Sequence, residues 1–292
     1  MKEFDFTQLL NQEIKRLVSS EREHAGETSD EVHTMNLLFG SFFNEQELTK
    51  EHKDIMKSLQ GLEVHTLLID KWIDKPEEFD DKEIRTLIGF MIYFAMTEKF
   101  SGAMKKLKVS SEKQVFALDK WNEALKTVYF GEALDVLYTK KEIKPFSLDE
   151  YIFMIRQITA KFIQLSLILG AMVSGKTKEE TEKIAEYGIN LGIAFQIRDD
   201  YEDLENDILE GKQRAFVIKE SLDLLNEKER KFIFENFQKT PLECIKIIKN
   251  SQIPEFVKNL NHSFLDNALK NIENLNGRYV IRLKEIAKLL RI

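Results

Sequence analysis

Turn-forming residues are scarce in this chain: 292 residues carry only four prolines and twelve glycines. Sheets folded from short strands need frequent tight turns, and there is little here to build them from. Long helices joined by short loops are the expected alternative. Apolar residues recur at helical spacing almost throughout, and no segment sustains period-two alternation. The stretch DKEIRTLIGFMIYFAMTEKF, residues 81–100, is strongly apolar and is expected to be central. Residues 111–138 read as one long helix. Residues 147–175 read as another, opened by a capping box of Ser147 and Glu150 and closed near Gly175. Residues 176–207 follow directly, and shorter, more polar helices run from Lys212 onward. SDEVHTMNLLFGSFF offers Ser29 or Asp30 as an N-cap, and Pro76, Pro145, Pro241 and Pro254 suit helix breaks. No linker or composition shift divides the chain, so a single all-α domain over 1–292 is predicted.

Charge and cysteine content narrow the partners. A net charge of −7, without a basic stripe, argues against nucleic acid. The single cysteine, Cys244, excludes an internal disulfide and points to a reducing, cytoplasmic setting. MKEFDFTQLL has no basic region leading into an apolar core, and no apolar run is long enough to span a membrane. FIQLSLILGAMVSG, residues 162–175, reads as a buried helix. His24, His33, His52, His65 and His262 are scattered, with no zinc-ligand spacing. Gly170, Gly175, Lys176 and Thr177 fit the phosphate-loop formula, but an apolar helix precedes them instead of a strand, so they read as a helix–helix turn.

FQIRDDYEDL, residues 195–204, is the most unusual stretch. Asp199, Asp200, Glu202 and Asp203 crowd the end of a helix whose preceding residues, Ile193, Ala194, Phe195 and Ile197, are apolar. Residues on a helix advance by about 100° each, so Asp199 and Asp203 lie one turn apart with Asp200 on the same arc. Gln196 sits one turn earlier and Asp207 one turn later. Gly188 and Gly192 would let a neighbouring helix approach closely. Carboxylates here repel one another and oppose the helix dipole. A divalent cation removes that conflict, and oxygen-only ligands point to Mg²⁺ shared with substrate phosphates. A solvated acidic helix end is the other reading of the same residues.

EYGINLGIAFQIRDDYEDL, residues 186–204, resembles the second aspartate-rich region of the trans-isoprenyl diphosphate synthases, written Gly-x-x-Phe-Gln-x-x-Asp-Asp-x-x-Asp. Gly192, Phe195, Gln196, Asp199, Asp200 and Asp203 fill every place. LILGAMVSGKTKEE resembles the family's Leu-Gly-Ala stretch. GEALDVLY, residues 131–138, resembles its Gly-Gln-x-x-Asp segment, with Glu132 for Gln. DILEGKQRAFVI, residues 207–218, resembles the region after the second motif. The resemblance implies an isoprenoid-synthase-like helical bundle around a dry central cavity, with two aspartate patches facing across its mouth. It implies Mg²⁺ held by Asp199, Asp200 and Asp203 on one side and by Asp70 and Asp74 on the other. It further implies an allylic prenyl diphosphate contacted by Gln196, Thr159 and Lys212. The expected chemistry is ionisation of that diphosphate followed by prenyl transfer or elongation, in a homodimer or a heterodimer with a homologue.

The match is uneven. In LLIDKWIDKPEEFDDK, residues 67–82, the first motif reads Asp70-Lys71-Trp72-Ile73-Asp74, with a lysine at a ligand place and no paired arginines after it. SDEVHTMNLLFG carries none of the family's N-terminal basic residues. The Lys-Thr pair of a central helix appears as Ile158-Thr159, with Lys161 three residues on. A second diphosphate buried without cations would be prohibitively costly, so the site for isopentenyl diphosphate reads as lost. Three expectations follow: a Mg²⁺-dependent enzyme acting atypically on an allylic diphosphate, a catalytically degenerate subunit partnering an active synthase, or a conventional elongase whose cations come from elsewhere.

Overall fold

The computed structural model describes residues 34–74, 82–107, 109–139, 147–211 and 218–292; within these ranges the side chains at 45, 67, 68, 70–74, 82–86, 88, 138 and 139 lie outside the description. The described residues are helical, without a strand. They sort into two compact units, 1–118 and 119–292.

In the first unit, α1 (Thr34–Gly40) packs on α2 (Lys50–Asp74), which packs on α3 (Lys82–Lys106). Ser29 and Asp30 lie outside the described residues. Ile55, Leu59 and Leu62 recur at helical spacing on α2 and are fully buried, with Leu38 and Phe39 of α1 and Phe100 and Met104 of α3 also in the core. Gly61 has no room for a side chain: a Cβ there would come within 2.2 Å of the Met96 sulfur. His65 stacks on Tyr93 at 6.2 Å between ring centres. The prediction that 81–100 is central needs revision. Leu87, Phe90 and Phe94 of α3 are more than half exposed, so this helix is apolar on both its buried and its outer face.

α4 (Ser111–Thr139) is the long helix expected from 111–138, and the division between the units falls within it. The second unit adds α5 (Leu148–Gln157), α6 (Thr159–Val173), α7 (Lys178–Glu202), α8 (Leu204–Leu209), α9 (Lys219–Leu222), α10 (Glu227–Asn236), α11 (Pro241–Lys249), α12 (Ile253–Asn271) and α13 (Arg278–Leu289). The predicted continuous helix over 147–175 is instead two, α5 and α6, bent by 43° at Ile158. The capping box of Ser147 and Glu150 opens α5 as expected. Eleven of the fifteen residues of α6 are buried, as an all-round apolar helix requires. It closes in a Schellman turn: Gly175 has φ +82°, its N–H donates to Met172 O, and Lys176 N–H donates to Ala171 O. The Gly-Lys-Thr sequence is thus a helix C-cap, and Thr177 caps the next helix in a box with Glu180. No single described helix is long and apolar enough to cross a membrane.

α7 is the central helix of this unit, packed against α6 on one side and α12 on the other. The predicted close approach at Gly188 and Gly192 is made by α6. A Cβ on Gly192 would lie 2.3 Å from Ala160 Cα, and one on Gly188 would lie 3.0 Å from Gln164 Cα. This backbone-level contact fixes the acidic end of α7 beside the first turn of α6. Around it, Tyr151, Ile155, Ile193, Ile197, Leu204, Ile208, Phe237, Ile248 and Val257 form one core.

Candidate active site

α7 ends at Glu202 with Asp203 as its C-cap, which places the acidic residues on its last turn. The three aspartates are not alike. Asp200 is 3% exposed, on the same side of the helix as fully buried Ile197. Asp199 and Asp203, one turn apart, are exposed. Gln196 organises the cluster from one turn earlier. Its side-chain oxygen accepts from the Thr159 hydroxyl at the start of α6. Its amide nitrogen donates to Asp199 Oδ2 at 3.1 Å and to Asp200 Oδ1 at 3.0 Å. The partners fix the amide's orientation, because a carboxylate only accepts and the threonine hydroxyl can donate. The Asp200 Oδ2 atom accepts from the hydroxyl of Tyr151, a fully buried residue of α5.

Protein donors thus reach both oxygens of the inward carboxylate, and Asp199 and Asp203 lie on the exposed side of the turn. Among the described residues no three His, Cys, Asp or Glu side chains converge to hold a metal ion. Asp199 and Asp203 still suit Mg²⁺, which commonly binds through one or two carboxylates and completes its shell with water and phosphate oxygens. Asp200 serves as the anchor of that turn. Tyr151 went unnoticed in the sequence because YIFMIRQ reads as plain apolar helix. The one available signal was chemical, since a buried tyrosine hydroxyl needs an acceptor.

The other predicted site residues divide as follows. Thr159 is brought to Gln196, as described. Asp70 and Asp74 fall on the backbone of α2, but their side chains lie outside the described residues, and Lys212 lies outside them altogether. Gly131 meets the α5–α6 break, where a Cβ would come within 2.6 Å of Ile158 Cγ1, and Asp135 on the same helix is buried. Lys161 does not stand in for the missing lysine. Its ammonium binds Glu123 Oε1 at 2.7 Å, and Glu123 also binds Lys120. Glu123 is two helical turns before Gly131, so the ammonium is drawn along α4 away from Ile158. Hydrogen bonds from Lys120 and then Lys161 hold the Glu123 carboxyl down at about 2.

Residues 80–250 match the sequence model of the polyprenyl synthetases. The chain belongs to the polyprenyl synthetase family. Geranylgeranyl diphosphate synthase of Sulfolobus acidocaldarius is 26% identical over 210 residues, 66% of this chain and 62% of that protein. Short chain isoprenyl diphosphate synthase of Methanocaldococcus jannaschii is 28% identical over 191 residues, 59% of this chain and 56% of its own. The chain thus spans about three fifths of the length of these relatives. The fold is that of geranylgeranyl pyrophosphate synthetase from Pyrococcus horikoshii, with a TM-score of 0.74 and 18% identity over 97% of this chain and 95% of that one. Geranylgeranyl pyrophosphate synthetase from Geoglobus acetivorans has the same fold, with a TM-score of 0.71 and 20% identity over 97% of each chain.

Proposed function

We propose that the chain is a Mg²⁺-dependent prenyltransferase that acts on an allylic prenyl diphosphate. The observation that carries this reading is the Thr159–Gln196–Asp199/Asp200–Tyr151 network, which presents Asp199 and Asp203 together on an exposed turn. Asp199 and Asp203 would hold the metal, with Asp200 fixing their turn, and Asp70 and Asp74 are proposed as further metal ligands. Bound Mg²⁺ supplies Lewis-acid stabilisation of a departing pyrophosphate. The chain's part is to position the carboxylates, to seat the diphosphate beside Thr159, Gln196 and Lys212, and to keep water from the reacting carbon with apolar helix faces. The match over 80–250 runs across the division between the two units, which favours one functional domain over 1–292. A cytoplasmic location belongs to the same reading.

The test is a melting experiment. Mg²⁺ with a prenyl thiolodiphosphate at a hundredfold excess over its Kd should stabilise the protein by about 2.7 kcal/mol. Asp199→Ala and Asp203→Ala should each abolish most of that gain. An undiminished gain in both variants would remove the metal site from these residues.

A second reading, a catalytically degenerate subunit paired with an active synthase, draws support from the cations. Ile158 replaces the lysine, and Lys161 is committed to Glu123. Either reading gives the exposed Leu87, Phe90 and Phe94 stripe of α3 a partner, a second copy or a homologue. Turnover by the isolated chain separates the two: a catalytic subunit forms product alone, and a degenerate one does so only when mixed with its partner.

A further inference from the structure

Asn276 and Gly277 form the one Asn-Gly pair in the sequence. An asparagine side chain can reach the next backbone nitrogen by closing a five-membered ring, and a following glycine has no Cβ to hinder that approach. The pair lies in the loop between α12 and α13, and Asn276 is exposed. The fold itself asks for the glycine. Gly277 has φ +126°, which side-chain-bearing residues rarely adopt, and a Cβ there would come within 3.0 Å of Tyr279 Cε1. Among the described residues no backbone carbonyl accepts from the Gly277 N–H. Asn206 and Asn250 also precede small polar residues, but there the following nitrogen is engaged. Asp207 N–H donates to Asp203 O at 2.9 Å, and Ser251 N–H donates to Ile248 O at 3.2 Å.

The helix that this loop feeds lacks what others in the unit have. α5, α7 and α10 each open with a capping box. α13 has Gly277 as its N-cap, no side-chain cap and no acidic residue in its first turn, which begins with Arg278. The first N–H groups of a helix carry partial positive charge, and the sequence supplies no acid beside them here.

We infer that Asn276 is a site of self-catalysed covalent modification, whose product gives α13 the N-terminal carboxylate that it is made without. The Gly277 nitrogen, once hydroxide takes its proton, attacks Asn276 Cγ. A C–N bond forms, the Cγ–Nδ2 bond breaks, and the amide departs as ammonia, leaving a cyclic imide. Water then opens the ring at either carbonyl. Attack at Cγ gives aspartate. Attack at the main-chain carbonyl gives isoaspartate, which adds one methylene to the backbone path. Either product carries one new negative charge, and water and hydroxide are the only co-reactants. The reaction is independent of the metal site.

The experiment incubates the folded full chain in ¹⁸O-labelled water at pH 7 and pH 8, for the time in which guanidinium-unfolded chain converts Asn276 completely. Peptides are then read by mass spectrometry with electron-transfer fragmentation, which separates the two isomers. Label should enter at position 276, about tenfold faster at pH 8, because the deprotonated amide rises tenfold per unit well below its pKa. Asn206 and Asn250 should stay unlabelled in the folded chain and react only in the unfolded one. Asn276→Gln should abolish labelling at 276, because its ring would have six members and closes far more slowly. Asn276→Asp, which installs one product directly, should raise Tm at low ionic strength, with the gain shrinking in 1 M salt. An unlabelled Asn276 in the folded chain, or equal labelling at 206, 250 and 276, would overturn the site. A Tm for Asn276→Asp no higher than that of the unaltered chain would overturn its effect on α13.

Discussion

Replacing Tyr151 with Phe removes one oxygen atom and tests the division of labour among the three aspartates. The ring stays, so packing in a fully buried position is conserved and no cavity of note opens. What is lost is the donor to Asp200 Oδ2, on a carboxylate that is 3% exposed and that water can scarcely reach. A hydrogen bond to a charged group contributes about 1.5–3 kcal/mol, and the stranded acceptor keeps its full desolvation cost. Tyr187 provides the internal comparison. It is also fully buried, but its hydroxyl donates to a neutral backbone carbonyl, that of Leu283. Tyr187→Phe should therefore cost only about 0.5–1.5 kcal/mol. Urea unfolding should rank Tyr151→Phe below Tyr187→Phe in stability. In an Asp200→Asn background, where the acceptor is neutral, the cost of Tyr151→Phe should fall by about half or more. If Tyr151→Phe costs no more than Tyr187→Phe, or costs the same with Asn at 200, then Asp200 is not a buried charge anchored by that hydroxyl.

Three further outcomes follow from the same structure. Gly192→Ala forces a methyl group to within 2.3 Å of Ala160 Cα, so α6 and α7 must part; it should cost about 1–3 kcal/mol in thermal melts and weaken Mn²⁺ binding, because Thr159 moves away from Gln196. Glu63 has a buried Oε2 without a hydrogen-bond partner, and burial pushes its carboxyl up to about 8. Its folded pKa lies above the unfolded value, so the stability it allows is complete below about pH 4.5 and lost as pH rises toward 8. Glu63→Gln should accordingly raise Tm at pH 8 and leave it nearly unchanged at pH 4; an equal effect at both would refute burial as the cause. Glu123 behaves oppositely: its carboxyl is held at about 2, so its contribution is present above about pH 4.5 and is lost as pH falls toward 2. Its side chain is 40% exposed, so solvent screening limits that contribution to about 1 kcal/mol or less, and Glu123→Gln should flatten the acid limb of the stability curve by that amount.

Features that a few neighbouring residues decide were legible in the sequence. The span of α4, the Ser147–Glu150 cap and the turn at Gly175 all follow from local spacing, and each stands where the pattern put it. Gly188 and Gly192 were readable too, because two glycines one turn apart on an apolar helix have few uses other than a close helix contact. Features decided by partners distant in sequence were not. The bend at Ile158 coincides with the approach of Gly131, which lies 27 positions earlier, and nothing in 147–175 itself interrupts the helical period. Apolarity could not tell the outer face of α3 from its inner face. For the acidic cluster, counting carboxylates gave three candidate ligands but could not show that Asp200 is buried and bonded to a tyrosine 49 residues away. Charge alone could not reveal that split, because the same negative group serves as a ligand when exposed and as a strut when buried and bonded. The same logic applies to the cations. Lys161 and Arg198 would each look available in the sequence, yet Glu123 and the end of α13 have already engaged them. The chemistry open to this turn is therefore set less by which charges the chain carries than by the partners that the fold gives each of them.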